Sequence, residues 1–140
     1  MGQQQLLLII LGVIVVGIAV AVGITMFQDN AVSANRDAVV NDLVNLSARA
    51  QQFYRRPTSL GGGQNKFTGL TGDLAGVQKL VNTTAYPYVN ANGSYSITTA
   101  GTDSSVTLEG TGNEIGNNGS SNVRVTMKVY ATRNETTVNN

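Results

Sequence analysis

The chain has no His and no Cys, so the commonest general base and the thiol nucleophile are both missing from its 140 residues. Its eight carboxylates, Asp29, Asp37, Asp42, Asp73, Asp103, Glu109, Glu114 and Glu135, are scattered along the chain. No pair has the spacing of an acid–base couple or a calcium loop. Ser and Thr are abundant, but none sits in a Gly-x-Ser-x-Gly elbow. Gly61-Gly62-Gly63 lacks the downstream Lys-Ser/Thr and the βαβ setting of a phosphate loop. The net charge is +1, and no basic stripe of the kind that tracks phosphates is present. Arg55-Arg56, the one adjacent basic pair, fits a helix C-terminus, where the dipole favours cations. These residue types point away from catalysis, cofactors, metals and nucleic acid.

What remains is amide and hydroxyl chemistry. Asn45, Asn82, Asn92, Asn118 and Asn134 each begin an Asn-x-Ser/Thr triplet. The C-terminal part is rich in Thr, Ser, Asn and Gly and poor in charge, a surface suited to an exported protein that is tightly packed or carries sugar, N- or O-linked.

The element that positions everything else is Leu6–Phe27, 22 residues with no charge and a single hydroxyl at Thr25. As a helix rising about 1.5 Å per residue it spans the roughly 30 Å apolar core of a bilayer. The first charge in the chain is Asp29. An ordinary secretory signal has a basic start and a shorter apolar run, and this stretch has neither. From Asp29 to Arg56 there is no Pro or Gly, and the pattern becomes amphipathic: Val32, Val39, Leu43, Leu46, Ala50 and Phe53 form one stripe that faces a small domain. One helix running from about Gln3 to Arg56 is expected, about 80 Å long. Within this N-terminal segment, 1–56, residues 6–27 are apolar on all sides and residues 28–56 have one apolar face.

A short polar head, an apolar helix, an amphipathic continuation and a small β-rich end together resemble the type IV pilin superfamily, which spans bacterial pilins, pseudopilins and archaeal pilins and flagellins. The resemblance covers the whole architecture, with motif-level support confined to residues 1–27. It implies a peptidase cut after Gly2, leaving Gln3 first. It also implies a glutamate five residues into the mature chain, and here that place holds Gln5 or Leu7. Registration then falls to amide hydrogen bonds and packing. The function implied is a structural subunit stored as a single span in the cytoplasmic membrane, handled there by pilus assembly machinery, and polymerised with copies of itself into an extracellular filament. Leu6–Phe27 would move from lipid to a bundle of the same segments, where Gly12, Gly17, Ala19, Ala21 and Gly23 allow close approach and Gln3, Gln4 and Gln5 bond one another or the backbone at the axis. The alternatives are a monomeric membrane-anchored exported binding protein and a minor pseudopilin of a secretion system.

The fold class expected is α+β: the long helix packed on a small antiparallel sheet of three to four strands. Pro57 ends the helix, and 57–66 is expected as a flexible Gly-rich connector. In the head, 67–140, a short helix is expected over Asp73–Val81, capped by Thr71 or Asp73. Strands are expected at Tyr86–Val89, Tyr95–Thr99, Val106–Glu109 and Val123–Thr132, the last being the longest. Gly110–Asn122 is expected as a loose run and Asn134–Asn140 as a loose tail.

Overall fold

The computed structural model describes residues 2–140; Met1, which opens the expected N-terminal segment, lies outside them. Helix α1 runs unbroken from Gly2 to Arg55. Its only glycines after the first turn, Gly12, Gly17 and Gly23, each cost about 1 kcal/mol of helicity against alanine, too little to interrupt so long an apolar run. Pro57 stops it. Residues 57–66 are no loose tether but a cap. After a 3-10 turn at Thr58–Leu60, the chain reverses through Gly61 at φ +76°. The amides of Gly63, Gln64 and Asn65 then donate to the carbonyls of Phe53, Arg56 and Tyr54. These are carbonyls that a helix end otherwise leaves unpaired.

Helix α2 is shorter than expected, Leu74–Gln78. Asp73 caps it, accepting from the Gly76 amide at 2.9 Å and from the Thr71 hydroxyl at 2.6 Å. The sheet is an antiparallel meander of five strands in sequence order: β1 Tyr88–Val89, β2 Gly93–Thr99, β3 Ser105–Ile115, β4 Asn122–Tyr130 and β5 Asn134–Val138. Strand number therefore exceeds the three to four expected, and the longest strand is β3 rather than β4.

The extra strand length has two causes. Gly110 and Gly112 lie at inward positions of β3, following Val106 and Leu108, and α1 rests directly on them. A Cβ on Gly110 would lie 2.7 Å from a Val39 methyl, and one on Gly112 would collide with the side-chain oxygen Oδ1 of Asn35. Their missing side chains make a seat for the helix, not a loop. The second cause is that the Asn-rich tail pairs along β4, Val129↔Asn134 through Val125↔Val138. Asn134 Nδ2 donates to the buried Ser47 hydroxyl at 2.8 Å, and Asn140 Nδ2 donates to the Ser121 carbonyl at 2.7 Å. The amides that make this stretch look loose are the groups that pin it within its own chain.

One face of the sheet and one face of α1 share a single core. Val39, Leu43, Leu46, Ala50 and Phe53 meet Tyr95, Ile97, Leu108, Val125, Met127 and Val129, with Phe67, Leu70, Val77 and Leu80 closing one end. Tyr54 stacks on Phe67 with ring centroids 4.7 Å apart, tying the end of the helix to the start of the head.

Candidate functional site, an uncovered apolar helix

Leu6–Met26 projects from the head with no described residue of the chain packed over it, and Phe27 stands at the head's margin. The large apolar side chains of Leu6–Phe27 are 51–76% exposed, from Val22 to Phe27. Burying one Leu, Ile or Val is worth about 1.5–3 kcal/mol, so a surface of this size is built to leave water. The helix is long and apolar enough to cross a membrane; an N-terminal signal segment meets the same test. Its only hydroxyl is spent internally, Thr25 Oγ1 donating to the Val22 carbonyl at 2.8 Å. At Gly12, Gly17 and Gly23 a Cβ would find no atom within 4 Å, which leaves flat openings on the rod. Ala19 and Ala21 are exposed beside them, as are Gln3, Gln4 and Gln5 at the tip. The amides of those three glutamines need partners from outside the chain if the tip is buried.

The second half of the rod is fixed to the head. Val39, Leu43, Leu46, Ala50 and Phe53 are buried, while Val32 is half-buried at the margin where the helix leaves the sheet. Among the described residues no ion pair joins α1 to the head. A hydrogen-bonded clamp does: Asp42 Oδ2 accepts from Tyr95 Oη at 2.6 Å and from the side-chain amides of Asn90 and Asn92 at 2.8 Å each. Burial pushes the Asp42 carboxyl up, but those three donors outweigh it and hold the group below the ordinary carboxylate range. The Tyr95 hydroxyl is shifted up, by burial first and then by its bond to Asp42. The pattern of α1 alone places Asp42 off the apolar stripe and on the solvent side. The signal that could have found the clamp is Tyr95, a core aromatic whose hydroxyl must find a partner when buried.

The five sequons are not equivalent. The side-chain nitrogens of Asn92, Asn118 and Asn134 donate to Asp42, Ser121 and Ser47 respectively. Asn45 and Asn82 are exposed, Asn45 on α1 and Asn82 in the turn after α2. Ser47, the hydroxyl of the Asn45 triplet, is buried, so Asn82 is the sequon whose amide and hydroxyl partner both lie outside the core.

No family model, curated protein or solved structure matches this chain. The architecture has to be judged on its own geometry. Among the described residues no three Asp or Glu side chains converge on a point that would hold a metal ion.

Proposed function

We propose that the chain is a structural subunit of a type IV pilus-like extracellular filament, held as a single membrane span before assembly. The observation that carries this is one continuous helix with two differently clothed halves. One half is locked into a small sheet, and the other is apolar around its full circumference and covered by none of the described residues. The long apolar helix on an antiparallel sheet is compatible with the pilin-like architecture that the sequence resembles.

The physical logic follows from the solvent. In lipid the apolar half is already satisfied, so polymerisation gains little from the hydrophobic effect. It must gain from close helix packing, which the openings at Gly12, Gly17 and Gly23 permit. Gln3, Gln4 and Gln5 then pair at the axis in place of the missing glutamate. A rod that contacts the rods of successive copies, each offset from the last, makes a contact that does not close on itself and propagates as a fibre. The test is to shear cells expressing the chain and examine the released material by electron microscopy. Long fibres with this chain as their bulk component are expected. Recovery of the chain only in membrane fractions would overturn the reading in favour of a monomeric anchored protein.

A further inference from the structure

The head carries unpaired charge of opposite sign at its two ends. At the end away from the apolar rod, Arg49, Arg56 and Lys79 border a recess of about 400 Å³ with Phe53 and Leu80 at its floor. Arg49 donates to the Leu80 carbonyl at 3.0 Å, and Lys79 donates to the Gly69 carbonyl at 2.6 Å while standing 5.6 Å over the Phe53 ring. Arg49 and Lys79 are thus held in place by neutral groups, and Arg56 completes the rim. At the rod end, Asp29 on α1 and Glu114 on the β3–β4 hairpin flank two exposed apolar side chains, Phe27 and Ile115. Among the described residues the ion pairs are Lys66–Asp103, Arg124–Glu109 and Arg133–Glu135, so neither group has its charge paired. Arg36, whose Nε is buried without a hydrogen-bond partner among the described residues, lines a neighbouring recess with Asn117 and Asn140, and with Asp37 also on α1 the carboxylates still outnumber the cations at this end. Between Asp29 and Arg56 the helix rises about 40 Å.

We propose that the basic recess of one copy receives the acidic shoulder of a second copy, with Glu114 and Asp29 against Arg49 and Arg56 and with Ile115 on the Phe53–Leu80 floor. This contact rests on the filament reading and adds to it a direction. Because the two surfaces lie at opposite ends, the same pairing can be repeated by a third copy, and a closed pair is not formed. Complementary charge of this kind sets register and rejects wrong alignments more than it adds hold, which here comes from the rods.

The chain has no cysteine, so two introduced thiols report the contact cleanly. In fibres of a Gln52→Cys/Asn117→Cys chain, mild oxidation should give a ladder of covalent multimers, and either single substitution should give none. Separately, Arg49→Glu/Arg56→Glu or Asp29→Lys/Glu114→Lys alone should lower the yield of sheared fibres about tenfold or more through like-charge repulsion. The chain carrying all four changes should recover most of the yield, which also shows that the head still folds. Full yield from either one-sided variant, or no ladder from the double-cysteine fibres, overturns the contact while leaving the filament reading intact. Full yield from Arg49→Glu/Arg56→Glu with loss of binding to a labelled DNA probe would also overturn it, assigning the recess to a polyanion. Absence of fibres from the unaltered chain would overturn both readings.

Discussion

Replacing Asp42 by alanine removes one acceptor and leaves three donors facing it. Tyr95 is the costly one: it is 2% exposed, and without Asp42 its hydroxyl is left in the core. A hydrogen bond to a charged group is worth about 1.5–3 kcal/mol, and Tyr95 should lose about 2. Asn90 and Asn92 are half-buried, so water can replace the carboxylate and each should lose about 0.5 kcal/mol. The expected total is about 3 kcal/mol, or a melting point lower by about 10–15 °C for a unit of this size. The assay is thermal unfolding of the full chain in detergent micelles, followed by tyrosine absorbance. The pH dependence supplies an internal control. Asp42 is held below its ordinary value of about 3.9, so its contribution is present above about pH 4 and disappears as the pH falls through the folded value. Tyr95 is raised, so its contribution is complete below about pH 10 and is lost as the pH rises beyond that. The Asp42→Ala chain should therefore lack the acid loss attributable to this clamp and show a weaker alkaline one. A variant within about 0.5 kcal/mol of the parent, with an unchanged acid limb, would refute the clamp as a determinant of the helix-to-head joint.

Gly17→Leu or Gly23→Leu should abolish fibres while leaving the chain in the membrane fraction, since lipid accepts leucine and a tight helix contact does not; normal fibres would show that these openings lie off the interface. Gly110→Leu should destabilise the head by about 3 kcal/mol or more, because the new side chain would meet Val39 and the Tyr95 ring where α1 sits on β3; the melting point of the full chain reports it. Assembled fibres should survive molar sodium chloride and dissolve in mild detergent. No side chain before Asp29 is charged, whereas surface ion pairs contribute at most about 1 kcal/mol each and are screened. Fibre mass in the pellet after each treatment is the measurement, and dissolution by salt alone would place the hold in the heads.

How much of this was legible depends on where each signal is stored. The rod, its two halves and its buried stripe follow from one chain segment read by period, and Val39, Leu43, Leu46, Ala50 and Phe53 are all buried. The Asp73 cap is local chemistry and was equally readable. What the sequence hid is non-local. Gly110 and Gly112 look like loop residues until α1 is laid over them. The tail looks like a polar run until Ser47, eighty-seven positions earlier, is found opposite Asn134. The clamp is hidden for the same reason, since Asp42 meets Tyr95 across 53 positions. The connector misleads in another way. Its glycines permit flexibility but are used to turn the chain back on the helix end, as Gly61 shows.

The unbroken helix has one more consequence, which concerns phase. Because α1 passes from the bare half to the clothed half without a hinge, the head has no independent orientation: its azimuth is fixed by counting residues along the rod. Deleting one residue between Gln28 and Ala31 would shorten the rod by only about 1.5 Å but swing the head about 100° around it. Deleting seven would shift it by about 10 Å and restore its bearing to within about 20°. The length of the short polar bridge at the end of the apolar half thus acts as an angular setting, and whatever array these chains form inherits its surface pattern from that count.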